Sequence, residues 1–208
     1  MPELTLPPDM AAELAAICSN LEEDYRRVAG QISLRCEGCP DNCCDSWFFH
    51  HTYCEWAWLW QGLRQLEAGA LERIVSRAED YLRESQAQLA AGRRPQLLCP
   101  LNENGLCGLY EHRLLICRMH GVPAVLTRPD GQHLRFPGCF RCQEIVREKY
   151  TDEDAAPAMD RTQLFTKLAD LETRLLGGSR QRFPKVKKTI AEMIVLGPPV
   201  IAQPFSAR

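Results

Sequence analysis

Charge of one sign is what this sequence has least of: 25 basic and 27 acidic side chains leave a formal net charge of −2 over 208 residues. Such a balance sets up no long-range field for drawing in nucleic acid or an anionic membrane surface, so neither is expected as a partner. A protein partner stays open and would have to be recognised locally. Long apolar runs are missing too. Met1 to Pro8 has neither the basic region nor the apolar core of a signal peptide, and the apolar residues near the end are broken by Gly197, Pro198 and Pro199. The expectation is an unanchored, cytoplasmic protein. No glycine-rich loop stands between a strand and a helix to hold a nucleoside cofactor. There is no repeat of solenoid length and no low-complexity tract. Histidine is scarce, with five residues.

Cysteine is the opposite case, with eleven residues. In a reducing compartment glutathione and thioredoxin keep most thiols free, so disulfides explain this count poorly, and an odd number would leave one thiol over in any case. Nine of the eleven fall in three segments separated by helical patterns. The first is Cys36-x2-Cys39-x3-Cys43-Cys44, spelled CEGCPDNCC; the second is Cys99-x7-Cys107-x9-Cys117; the third is Cys139-x2-Cys142. Two thiolates at C-x2-C spacing can reach one metal because the turn between them, which Gly38 suits, points both sulfurs inward. The adjacent pair Cys43-Cys44 normally diverges, which fits a polynuclear cluster or two neighbouring sites better than one tetrahedral ion. A closed zinc site or a four-iron cluster takes about four thiolates, so nine candidates imply two sites, or one site with further thiols beside it. Sulfur-rich ligation favours zinc, copper(I) or iron–sulfur over hard cations. Spacing alone does not separate zinc from iron.

Around these segments the periodicity is helical. Leu14, Ile17, Cys18, Leu21, Tyr25 and Val28 predict a helix from about Asp9 to Gly30. Trp56, Leu59, Trp60 and Leu63, then Leu71, Ile74, Val75, Ala78 and Leu82, predict a helical hairpin bent near Gly69 and stopping at Gly92. Val125–Thr127 and His133–Phe136 flank Pro129-Asp130-Gly131, a small β-hairpin. Asp152–Ala158 reads as a linker. Two further helices follow, one on Leu164, Phe165, Leu168, Leu171 and Leu175 after the cap Asp160, the other on Val186, Ile190, Met193 and Ile194 after Pro184. The expected fold is mainly α: an irregular cysteine-rich metal-binding core in residues 1–150 with flanking helices and one small β-hairpin, and a helical extension, 151–208, packed on the same domain.

The block from Cys36 to Cys44, followed by Cys99-Pro100, Leu106-Cys107, Tyr110, Arg113 and Cys117-Arg118, resembles the YkgJ-like cysteine-cluster family, described as zinc- or iron-chelating domains. The likeness spans about Cys36 to Cys142, roughly half the chain. Three departures stand out: the three-residue gap before Cys43, Leu109 in place of an isoleucine, and Leu114 in place of a proline. The resemblance implies Cys36, Cys39, Cys43, Cys44, Cys99, Cys107 and Cys117 as ligands; Cys139 and Cys142 rest on their own spacing. It also implies kinship with flagellin lysine N-methylases, which look like iron–sulfur proteins. The cofactor expected is an iron–sulfur cluster, four-iron in type, ahead of zinc in a structural or interaction module.

Other residues have plainer readings. Cys18 lies on a helical apolar face and Cys54 opens a tryptophan-rich helix, so both read as core. Trp47, Phe48, Phe49, Trp56, Trp58 and Trp60 read as packing around the site. His50, His51, His112 and His120 read as neighbours of the ligands rather than ligands. Arg113 and Arg118 flank Cys117 and are expected to offset thiolate charge at the cofactor, or else to hold an anionic substrate. Lys185, Lys187 and Lys188 read as solvated surface.

Overall fold

The computed structural model describes residues 2–37, 39 and 43–200. Gly38, at the first C-x2-C turn, lies outside them. The architecture is mainly helical, as the periodicity predicts. Helix α1 (Pro8–Ile32) begins with a proline, whose missing N–H costs nothing in a first turn, and ends at Ser33, whose left-handed backbone returns its amide to Gly30 O. It runs past Gly30, two residues further than the sequence reading. Its buried face is Leu14, Ile17, Cys18, Leu21, Val28 and Ile32, the stripe read from the spacing.

Helix α2 (Tyr53–Leu63) is apolar nearly all round and sits in the middle of the molecule. Buried amides at a helix start need acceptors, and here each is supplied. Thr52 Oγ1 takes the Glu55 amide at 3.1 Å, and the carboxylate of Glu172, a distant helix residue, takes the amides of Tyr53 and Cys54 at 2.9 Å each. Helix α3 (Ala68–Ala90) follows a bend at 64–67, with Gly69 inside its first turn rather than at the bend, and its main packing partner is the last helix rather than α2.

A first two-stranded sheet, β1 (Asn102–Glu103) and β2 (Leu106–Cys107), went unread in the sequence. Its signal was present: Asn104-Gly105 both take positive φ, 53° and 88°, the type I′ hairpin geometry that this dipeptide favours. Helix α4 (Leu115–Met119) carries Cys117. The expected hairpin forms as β3 (Ala124–Thr127) and β4 (His133–Phe136). Helix α5 (Phe140–Lys149) follows directly from Cys139, its N-cap residue.

The supposed linker 152–158 is structured. Ala156 is buried, Arg135 donates to the carbonyls of Glu153 and Ala156 at 3.0 and 2.8 Å, and β5 (Met159–Asp160) pairs in parallel with β3, giving the order β4-β3-β5. Helix α6 (Thr162–Leu175) carries Glu172 and starts where Asp160 Oδ1 accepts the Thr162 amide at 2.9 Å. The last helix, α7 (Ile190–Val195), is shorter than expected. Val186 precedes it, because Lys188 pairs its backbone with His50 and the helix opens at a Thr189/Glu192 capping box.

Packing of α1 on α4 and α6, α2 on α6, and α3 on α7 encloses a shared core that includes Leu21, Leu59, Leu115, Leu171 and Met193. Residues 151–200 therefore pack on the same body as the rest. The tryptophans are packing residues, as expected: Trp56 and Trp60 both donate to Met193 O, at 3.1 and 2.9 Å, binding α2 to the end of α7. Among the described residues no helix is long and apolar enough to cross a membrane.

Candidate metal centre

The nine clustered cysteines do not meet at a single point; they gather in two neighbouring groups. The first holds Cys44, Cys99, Cys107 and Cys117. Cys99 lies within electrostatic reach of Cys117, Cys107 and Cys44, and Cys44 is also within reach of Cys107 and Cys117. The backbone ties the segments directly: the Cys99 amide donates to Cys44 O at 2.9 Å, joining the first segment to the second across the fifty-odd residues that hold α2 and α3. All four line one cavity of about 70 Å³, together with Cys43.

Local backbone aims amides at these sulfurs. The Leu101 N–H donates to the Cys99 sulfur and the Leu109 N–H to that of Cys107, each two residues downstream, an arrangement that favours the thiolate. Burial acts the other way and dominates. It raises the thiols of Cys99 and Cys107, and it takes Cys117 up to about 12 even though the Arg113 guanidinium pulls it back. Among the described residues no three His, Cys, Asp or Glu groups stand close enough to hold a metal ion.

Arg113 lines the cavity, lowers the thiols of Cys117 and Cys107, and donates to Cys117 O. Arg118 also lowers the Cys107 thiol, but it does not line the cavity. Its side chain is turned away from the cavity and buried, pairing with Glu22 of α1 and donating to the carbonyls of Arg113, Tyr110 and Glu111, the latter two at 3.1 and 2.7 Å. It anchors the Tyr110–His112 turn and α4 onto α1. Cys18 lies beside it in the core, its thiol raised to about 11 by burial. Cys54 is likewise fully buried, next to Glu172.

Three histidines, His50, His112 and His120, line the cavity, while His51 is exposed. The His112 ring stacks on Trp58 with centroids 4.4 Å apart, and it lies so close to α2 that a Cβ on Gly62 would come within 2.4 Å of its Cγ. Phe48 meets His120 edge-on at 4.9 Å, and Phe48, Leu101, Leu114 and Ile190 make much of the wall apolar. Glu55, unmarked in the sequence, positions the site from behind. Its buried carboxylate accepts the Thr52 hydroxyl at 2.9 Å and the Leu115 amide at 3.2 Å, and faces His50 Nδ1 at 3.4 Å, so it joins the start of α2 to the start of the Cys117 helix. Burial pushes this carboxyl up, but the His50, Thr52 and Leu115 hydrogen bonds outweigh it and hold the group below the usual range.

The second group surrounds Tyr25 of α1. The phenol is hydrogen-bonded with Cys36 and lies within reach of Cys139 and Cys43; burial and these thiols together raise it. Cys139 in turn raises Cys142, whose burial takes it up to about 12. Cys39 stays close to Cys36 through a turn in which its amide donates to Cys36 O at 3.1 Å. Tyr25, which the spacing marks only as part of the α1 stripe, and Tyr81, which senses Cys99 from α3, both sit on the inward faces of their helices. Among the described residues, which include all eleven cysteines, there is no disulfide. Comparison with protein-family models, with curated proteins and with solved structures gives no match, so the arrangement of the thiols itself carries the functional reading.

Proposed function

We propose that the chain is a metal-binding cysteine-cluster protein that holds an iron–sulfur cluster, four-iron in type, through Cys44, Cys99, Cys107 and Cys117. The observation that carries this reading is the gathering of these four thiols from separate stretches onto the wall of one cavity. The donor set fits: four soft sulfurs, amides directed at two of them, and one arginine to balance the accumulated negative charge. When bound, such a cluster supplies one-electron redox chemistry at a potential set by charge, hydrogen bonds to sulfur and solvent exposure.

The chain's own residues determine those settings. Arg113 places a positive charge beside Cys117 and Cys107, and the amides of Leu101 and Leu109 stabilise sulfur anions. Phe48, Leu101, Leu114 and Ile190 limit water on that wall. Glu55 fixes the start of α4 and hence the position of Cys117. Because the ligands are far apart in sequence, cofactor binding contributes directly to folding of the segments that carry them. Thiolate ligation of this kind fits a reducing cytoplasm, and the likeness to the YkgJ-like family is part of the same proposal, supported by the way Tyr110 to Cys117 folds as one turn leading into a ligand helix.

The test is anaerobic purification followed by iron, acid-labile sulfide and zinc analysis. Brown protein with about four irons and four sulfides per chain at this site is the expected result. Colourless protein carrying stoichiometric zinc and no sulfide would replace it with a zinc-stabilised structural or interaction module.

A further inference from the structure

We infer that the thiols around Tyr25 form a second, separate metal site, a mononuclear tetrahedral thiolate centre of the zinc type, built from Cys36, Cys139 and Cys142 with Cys39 or Cys43 completing it. Three independent features of the fold lead there. None of Cys36, Cys39, Cys139 and Cys142 lines the cavity of the first group, so they are not a surplus of that site. Cys43 stands between the two groups, on the cavity wall and beside Tyr25, while its neighbour Cys44 belongs with Cys99. The adjacent pair thus divides between two centres, as diverging neighbouring side chains should.

The second feature is how the ligands are presented. Cys139 is the N-cap of the ten-residue α5 and Cys142 lies one turn in, so the two sulfurs share a face of the helix start. The Cys36–Cys39 turn closes on itself by the Cys39 amide, and one member of each C-x2-C pair, Cys36 and Cys139, approaches Tyr25. Two C-x2-C pairs from distant segments are the usual donors of a closed four-sulfur zinc site.

The third feature is space. Cys142 is fully buried, and Gly138, at φ +85°, passes so close that a Cβ there would lie 2.9 Å from the Cys142 sulfur and 2.6 Å from Gly121 O. Gly121 in turn leaves room for the Tyr25 hydroxyl, which a Cβ would approach within 2.6 Å. This packing brings Tyr25, with its partner Cys36, to the Cys139–Cys142 turn. The site would staple the segment after α1 to the start of α5, whose far end is tied to α1 by the hydrogen bond from Lys149 Nζ to Ile32 O at 2.9 Å.

The inference does not require iron at the first site, and its test separates the two. The intact chain, Cys139→Ser/Cys142→Ser and Cys107→Ser/Cys117→Ser are purified anaerobically, analysed for iron, sulfide and zinc, and titrated with cobalt(II) after chelation. Expected for the wild type is one zinc, or one cobalt with thiolate charge-transfer absorption, over and above the metal of the first site. Cys139→Ser/Cys142→Ser should lose that equivalent and keep the other, and Cys107→Ser/Cys117→Ser should do the reverse. Two zinc equivalents, each removed by one double variant, support the second site while defeating the iron reading of the first. If both variants lose the same single equivalent, or the wild type carries none beyond the first site, the inference is overturned. Should a double variant fail to fold, alkylation of the wild type mapped by mass spectrometry decides instead. Cys36, Cys139 and Cys142 must become reactive together when zinc is chelated; reactivity of these three that is indifferent to chelation overturns the inference.

Discussion

Replacing Glu55 with glutamine should loosen the Cys117 helix without deleting any atom of the core. The carboxylate accepts from the Thr52 hydroxyl and the Leu115 amide, and faces the His50 ring, inside a site where only 5 % of the residue is exposed. The glutamine nitrogen can be tolerated only toward Thr52, whose hydroxyl can turn to accept, leaving its oxygen to serve Leu115 and His50. Each hydrogen bond to a charged acceptor is worth about 1.5–3 kcal/mol and to a neutral one about 0.5–1.5. Three weakened contacts, partly offset by no longer burying a charge, therefore cost about 2 kcal/mol. For a chain of this size that lowers Tm by roughly 4–8 °C, read by circular dichroism on anaerobically prepared protein. Metal per chain should fall as well, because α4 loses its acceptor. Glu172→Gln is the control. Its carboxylate meets two backbone donors, the amides of Tyr53 and Cys54, so an amide nitrogen must face one of them and the loss of about 2–4 kcal/mol is at least as large. It touches only α2, and metal content should hold. Equal metal loss in the two variants, or an unchanged Tm in Glu55→Gln, would refute the reasoning.

The same carboxylate sets an acid limit: its folded pKa lies below the ordinary value near about 4.3, so its contribution is complete above that pH and is lost as the pH falls through the lower folded value. Tm should hold from about pH 7 to 5, drop below about 4.3, and drop less steeply in Glu55→Gln. Gly62→Ala places a methyl 2.4 Å from His112 Cγ and should cost about 1–3 kcal/mol in thermal melts by displacing the ring from α2. Arg118→Met strands the partly buried Glu22 and three carbonyls and should destabilise by about 3–5 kcal/mol while the folded fraction keeps its metal. Arg113→Met should show the reverse pattern in melts and metal analysis, with little lost stability and weaker metal retention. Chelation should speed hydrogen exchange in residues 43–46 and 99–117 and leave the central turns of α1 and α6 protected; uniform exchange would show that the metal supports the whole fold.

The parts of the fold that announce themselves in the sequence are those held by local periodicity. The buried stripe of α1, the helices α2 and α3 and the β3–β4 hairpin each follow from spacing over a few turns, and each forms. Two local signals were legible but passed over: Asn104-Gly105 for the small hairpin before Cys107, and Thr189-x-x-Glu192 for the true start of α7. β5 could not be read this way. It is two residues long, and it exists because β3 has a free edge and the 152–158 segment is fastened beside it by Arg135.

The candidate site divides along the same line. The spacing marks out nine candidate thiols, and the adjacency of Cys43 and Cys44 fits a polynuclear cluster or two neighbouring sites better than one tetrahedral ion. How they sort into groups depends on contacts the spacing does not contain. Glu172 is 119 positions from the amide it caps, and Glu55 is 60 from Leu115; in the sequence each is one more acid on a helix. The distinction between Arg113 and Arg118, both beside Cys117, is of the same kind. A helix rotates successive residues by about 100°, so Arg118 is carried toward Glu22 on α1. Arg113 precedes α4, on the turn that opens onto the cavity. Adjacency to Cys117 therefore does not decide what an arginine touches: the turn before α4 sets Arg113 on the cavity wall, and α4 carries Arg118 onto α1, where it holds the helix in place.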